Sequence, residues 1–218
     1  LAWSSAASDV YKRQLVELFN FSVNTFKNAQ GRKLSSMECH DLMCFIGQIV
    51  VVGGVRRSAM ISLSNLSDDR MRHAKSGQWW ETAAHRALAN NSVCYTEKPD
   101  IETFMREWTA LVESKSGERG IFNREASKKQ AEKYGRRDPN YEFGTNPCSE
   151  IILRPYQFCN LTEVVVRATD TYEDLKRKVK VATILGTIQS SYTRFPYLRK
   201  IWQRNTEEER LLGVSLTG

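Results

Sequence analysis

The sequence predicts an α/β fold with mainly parallel strands. Three observations carry this. Short apolar runs of strand length alternate with long stretches of helical period, the helical stretches have recognisable start signals, and glycine or proline punctuates the junctions between them. A chain of 218 residues, 41% hydrophobic, can bury one sizeable core or two small ones. No run of eighteen apolar residues occurs, so no membrane span is expected, and no secretory leader is visible. Five cysteines make an odd count that suits reduced thiols and a cytoplasmic location rather than a disulfide framework. The net charge of +7 is spread among interleaved acids. Nucleic acid is therefore not an expected partner, whereas small phosphorylated ligands suit the charge.

Leu15 to Ala29 places apolar residues at 15, 18, 19, 23 and 26, a helical stripe ended by Gly31. A second helix follows, with Ser35 and Glu38 in capping-box spacing. His40 and Cys44 lie four apart within it and could share a face. With no further ligand pair at usable spacing, core packing is the reading and no metal is assigned. An apolar run broken by Gly53-Gly54 leads through Val55, Arg56, Arg57 and Ser58 to a strand over Ala59 to Leu63. The two arginines and the serine offer donors suited to phosphate or a base edge, although a plain tight turn explains the glycines equally well. Ser67-Asp68-Asp69 caps a short polar helix closed by Gly77, and Trp79-Trp80 is expected to pack this region. Asn90-Asn91 reads as a turn before a strand with Cys94 as a buried filler. Ile101 to Val112 reads as an amphipathic helix and Gly120 to Arg124 as a short strand, followed by a solvated, highly charged span from Ala126 to Asn140. Thr171 to Ser190 is a long helix with apolar positions at 175, 179, 182, 185 and 188, and Leu211 to Gly218 starts another strand.

The chemistry concentrates in Phe143-Gly-Thr-Asn-Pro-Cys-Ser-Glu150, with a second thiol, Cys159, eleven residues after Cys148. Gly144 and Pro147 mark a tight loop. Pro147 pushes Asn146 toward an extended conformation, which would set Asn146, Cys148 and Glu150 on one side of the tip. Ile151-Ile152-Leu153 reads as a short buried strand anchoring it. A cysteine beside a glutamate is ordinarily a small buried hydrophobe near a surface acid. The second thiol shifts the balance, because two cysteines on neighbouring elements can exchange electrons.

With these residues laid out, the chain resembles the catalytic subunit of ribonucleotide reductase, and most closely its monomeric, adenosylcobalamin-dependent (class II) branch. The resemblance runs over residues 15 to 218. It rests on the Phe-Gly-Thr-Asn-Pro-Cys-x-Glu-Ile core and, independently, on Val52-Gly-Gly-Val-Arg-Arg-Ser-Ala, which is similar to the family's loop between the specificity effector site and the substrate base. It implies part of a ten-stranded α/β barrel with a central finger loop. It also implies a thiyl radical at Cys148 that takes the ribose 3′ hydrogen, Glu150 as base for the 3′ hydroxyl, Asn146 holding the ribose hydroxyls, and Cys159 as one of the reducing pair. Expected partners are a ribonucleotide, leaning to triphosphate, a deoxynucleotide effector and a thioredoxin-like dithiol reductant; the expected cofactor is adenosylcobalamin. Cys39, Cys44 and Cys94 do not sit in the context of the partner of Cys159, and none of His40, His73 and His85 suggests a cobalt ligand.

Residues 1–14 (LAWSSAASDVYKRQ) resemble a translated sequencing adapter, both ends look cut, and the chain is expected to be an internal piece of a longer enzyme, inactive by itself. The nearest rival is the large subunit of a class I reductase acting on diphosphates, its radical made by a separate metal-containing subunit. The class III enzyme, without a thiol pair, leaves Cys159 without a role. From another functional class, a non-enzymatic nucleotide-binding module would keep Gly53 to Ser58 as a ligand loop and treat Cys148 as packing.

Overall fold

The structure, a computed structural model, describes residues 2–49, 51–52 and 56–218. It is mixed α/β with parallel strands and falls into two compact units, Leu1–Asn123 and Arg124–Gly218.

In the first unit, helix α1 spans Ala2–Asn28 and α2 spans Ser36–Ile49. The helical backbone of α1 thus runs through the junction at residues 14 and 15. Its apolar stripe lies largely open, with Phe19 60% and Phe26 57% exposed. Off that stripe, Phe21 stacks on Phe45 of α2 at 4.2 Å between ring centroids. The capping box forms: Glu38 N–H donates to the Ser35 hydroxyl at 3.2 Å, and Ser35 N–H donates to the Glu38 carboxylate at 2.8 Å. Those bonds satisfy two of the amide donors that a helix start leaves open.

Strands β1 (Val51–Val52) and β2 (Arg56–Arg57) pair antiparallel. Strand β3 (Met60–Ser64) leads through α3 (Asp69–Arg72), α4 (Trp79–Thr82) and a 3-10 turn at Ala84–Leu88 to β4 (Ala89–Tyr95). Helix α5 (Ile101–Ser114) then carries the chain to β5 (Gly120–Asn123). The order β3-β4-β5 is parallel throughout, with Met60 opposite Ala89 and Ser92 opposite Gly120. Parallel neighbours require such crossovers. The central strand β4 is buried on both faces, so Asn90 and Asn91 are strand residues and not a turn. Asn91 survives there because its amide donates to His40 at 3.0 Å. Trp80 is 56% exposed and does not pack the region as its neighbour suggests.

In the second unit, α6 (Arg124–Glu132) is followed by the antiparallel pair β6 (Gly144–Thr145) and β7 (Ile152–Leu153). Strand β8 (Cys159–Val165) pairs in parallel with β9 (Leu211–Thr217), the crossover being α7 (Tyr172–Ser190) and α8 (Lys200–Glu209). Thr171 and Asp174 form a full capping box at the start of α7. The face that α7 buries is made of small residues, Ala182, Gly186 and Ser190, whereas the apolar Leu185 and Ile188 lie exposed. The reason is close approach: a Cβ on Gly186 would overlap Leu212 of β9.

Candidate functional site

The loop from Asn146 to Ile151 is a hairpin end closed on itself. Gly144 pairs with Leu153 and Thr145 with Ile152 at its base. Above that, Asn146 N–H donates to the Ile151 carbonyl at 3.3 Å and Ile151 N–H returns a bond to Asn146 Oδ1 at 3.0 Å. The Thr145 hydroxyl donates to the Ile151 carbonyl at 3.0 Å, and Ser149 N–H donates to the Asn146 carbonyl at 2.9 Å. Ser149 completes the turn with φ of +68°, a left-handed conformation that a short polar residue tolerates better than a branched one.

This geometry corrects the extended tip. Asn146 is 6% exposed and faces into the loop, whereas Cys148 and Glu150 are exposed. The turn at Ser149 breaks the alternation that an extended strand would impose. The Asn146 amide is oriented by chemistry: only its oxygen can accept from Ile151 N–H, so Oδ1 points inward.

Cys159 opens β8 opposite Leu211 and is half-buried. Burial, and then the negative charge of Glu150, push its thiol above the ordinary range. Glu150 therefore lies within electrostatic reach of Cys159. The loop also rests on β9: a Cβ on Gly213 would come within 2.8 Å of Ile151 Cδ1, so glycine there admits the base of the loop.

The segment joining the two thiols is held by residues that sequence reasoning missed. The Arg154 guanidinium donates to the Asn205 carbonyl at 3.2 Å and pairs with Glu208. Gln157 donates to the same carbonyl at 3.2 Å, and the Asn205 amide donates to the Pro155 carbonyl at 2.9 Å. Arg137 pairs with Glu209 at 2.9 Å. Asn205, Glu208 and Glu209 recur at helical spacing on α8, a polar stripe that the reading of apolar positions passes over. Tyr156, at φ +58°, turns outward under Arg199, 4.6 Å from its ring centre.

No disulfide joins cysteines among the described residues, and the three of the first unit are Cys39, exposed, and Cys44 and Cys94, buried. His40 and Cys44 are core residues, as expected. His40 Nδ1 lies 3.0 Å from Asp41, and burial with the Asp41 charge pushes the Cys44 thiol to about 11. Of the effector-loop assignments, Gly53, Gly54 and Val55, with the side chains of Arg56 and Arg57, lie outside the described residues; Ser58 follows β2 and is partly exposed. Among the described residues no cluster of three or more His, Cys, Asp or Glu is placed to hold a metal ion. His85 Nε2 lies 3.2 Å from Asp41, and His73 Nδ1 lies 3.3 Å from the Ser76 hydroxyl.

The site thus sets, in a mixed α/β chain, an exposed cysteine two residues before a glutamate and a second thiol at the head of the next parallel strand. Comparison with known proteins narrows its class. No protein-family model matches the chain. Over 94% of its length it is 34% identical to an adenosylcobalamin-dependent ribonucleoside-triphosphate reductase of Lacticaseibacillus paracasei, and 30% identical to the enzyme of that name from Levilactobacillus brevis. That of Lactobacillus leichmannii is 31% identical over 88% of the chain. The chain is thus homologous to a segment of the class II ribonucleotide reductases. It spans about a quarter of these relatives, 27% of the first two and 25% of the third.

Proposed function

We propose that the chain is the finger-loop segment of an enzyme that reduces ribonucleotides, preferentially triphosphates, to 2′-deoxyribonucleotides for DNA synthesis. The observation that carries this is the closed Asn146–Ile151 loop, which projects Cys148 and Glu150 outward while Cys159 stands at the head of β8. In this reading Cys148 acts as a thiyl radical: its sulfur takes the 3′ hydrogen of the ribose, forming S–H as the C3′–H bond breaks. Glu150 accepts the 3′ hydroxyl proton, and a carboxylate two residues from the thiol is placed for that neighbouring group. As the C2′–O bond breaks and the 2′ hydroxyl leaves as water, Cys159 and a second cysteine outside this segment supply the two electrons and two protons and end as a disulfide, which an external thioredoxin-like dithiol re-reduces, while Cys148 returns its hydrogen to C3′.

Asn146 has its oxygen committed to Ile151 N–H, so it would reach a ribose hydroxyl through its amide N–H. Gly53 to Ser58 are assigned to contact the deoxynucleotide effector and the substrate base. Residues 15–218 are assigned to part of a ten-stranded barrel, and residues 1–14 to an adapter-derived segment. The reaction's radical source is adenosylcobalamin, named for the relatives, which supplies a homolytically cleavable carbon–cobalt bond. No residue among those described is assigned as its cobalt ligand. A cytoplasmic setting follows from the reduced thiols that the chemistry needs; no helix among the described residues is long and apolar enough to cross a membrane.

Cys148→Ser in the complete enzyme tests the reading. Loss of turnover in a folded protein, without loss of nucleotide binding, is the expected result; retained turnover would leave Cys148 as packing and favour a nucleotide-binding module. The 218-residue chain alone is expected not to reduce nucleotides with cobalamin and dithiol.

A further inference from the structure

Between β4, β5 and α5, far in sequence from the two thiols, lies a small cavity of about 10 Å³. Val93, Phe104 and Leu111 form apolar walls, and Tyr95, Glu107 and Arg119 supply the polar ones. Tyr95 is 5% and Arg119 4% exposed, and each carries an atom without a protein partner: the phenol oxygen of Tyr95 and Nη2 of Arg119. The rest of Arg119 is engaged. Its Nε donates to Glu107 at 2.8 Å and its Nη1 to the Ser64 hydroxyl at 2.6 Å. The other Glu107 oxygen accepts from Arg72 Nε at 2.6 Å, while the remaining Arg72 nitrogens bond Asp69 and the Leu66 carbonyl. Two buried guanidiniums therefore share one buried carboxylate, and the donor left over is Arg119 Nη2. A buried charged donor with no acceptor is strongly disfavoured.

We infer that this cavity binds one water molecule, held between Arg119 Nη2 and Tyr95 Oη. Its size fits, since one water needs roughly 10–15 Å³. The lining chooses among ligands of that size. Arg119 requires an acceptor, which excludes an apolar occupant. Glu107 presents a carboxylate to the same space, which a halide would oppose and toward which a water can direct a hydrogen. Tyr95 keeps its phenol hydrogen, because burial and then the Glu107 charge hold its pKa above the ordinary value, so it can donate to the water or accept from it. A water so placed has the two to four partners characteristic of buried solvent. It completes an ion triad that joins α3 (Arg72), α5 (Glu107) and the residue preceding β5 (Arg119).

The test is a crystal structure of the 218-residue chain at a resolution that shows solvent, from crystals grown with bromide in place of chloride. The expected result is one solvent peak within hydrogen-bond distance of both Arg119 Nη2 and Tyr95 Oη, without anomalous bromide signal. An empty cavity, a bromide peak, or a direct Tyr95–Arg119 bond overturns the inference. In Tyr95→Phe the peak should weaken or vanish, and a peak of unchanged strength overturns the bridging role. The native chain alone decides the matter if that variant does not fold.

Discussion

Asn146 shows how one side chain can set the form of a reactive loop. Its oxygen accepts the Ile151 amide at 3.0 Å inside a buried turn, so removing it leaves that N–H unsatisfied. Asn146→Ala is expected to destabilise the second unit by about 1–3 kcal/mol in denaturant unfolding, with Asn146→Asp, which keeps an acceptor, losing less. Cys159 gives a second prediction at this scale. Burial and the Glu150 charge both raise its pKa, so its thiolate should be scarce at neutral pH and alkylation should accelerate only at more alkaline pH than for an ordinary thiol. Glu150→Gln removes one raising influence and should move the pH profile of Cys159 alkylation downward. An unmoved profile in a Cys148→Ser background would show that the carboxylate does not act on the thiol. The cysteines and Glu150 could be singled out in the sequence as candidates, because residue type alone marks them. The inward turn of Asn146 could not, since it depends on Ser149 adopting a positive φ, which no residue pattern in Asn-Pro-Cys-Ser-Glu declares.

At the scale of elements, two contacts decide how the loop and its supporting sheet meet. Gly213 of β9 faces Ile151 at the base of the loop, where a Cβ would lie 2.8 Å from Ile151 Cδ1 and 3.0 Å from Leu161 Cδ2. Gly213→Val is expected to cost about 1–3 kcal/mol and to displace the loop, read as a changed Cys148 alkylation rate beside a lowered Tm. Thr171→Ala removes a reciprocal cap from α7 and should cost about 1 kcal/mol, visible as a small loss in Tm without change at Cys148. The helices with capping boxes or strong amphipathic period, α2 and α5, stand where the sequence put them, because local signals define them. The buried face of α7 was read only in part: Ala182 lies on the expected stripe, whereas Gly186 and Ser190 do not. Periodicity counts bulky apolar residues, whereas tight helix-on-sheet packing selects the smallest ones. Helix α8 escaped for the opposite reason, since its inward face is polar and is satisfied by the Arg154–Gln157 turn.

Across the whole molecule, buried ion pairs recur in the first unit and give it an acid limit. Burial opposes ionisation of Asp41, yet bonds from Arg86, His40 and His85 hold its carboxyl far below the ordinary carboxylate range. A folded pKa depressed below the unfolded value of about 3.9 contributes stability that is present above that value and is lost as pH falls through the folded one. The acid limb of a stability–pH curve should therefore be flatter in Asp41→Asn than in the native chain below about pH 4. Equal slopes would count against the assignment. The parallel α/β class was readable from alternating segments, and the parallel pairs β3-β4-β5 and β8-β9 bear that out. The division after Asn123 was not, because β5 ends at Asn123 and α6 starts at Arg124 with no linker between them.

The turn between the two thiols ends in an aromatic group whose consequence is optical. Trp202, the sole tryptophan of residues 124–218, has its ring centre 4.8 Å from Phe158, the residue before Cys159, and 5.7 Å from Tyr156. Its emission is thereby a native gauge of that turn. Oxidation or alkylation of Cys159 should register in the difference spectrum between the native chain and Trp202→Phe, giving a label-free readout of the thiol's state without any nucleotide present.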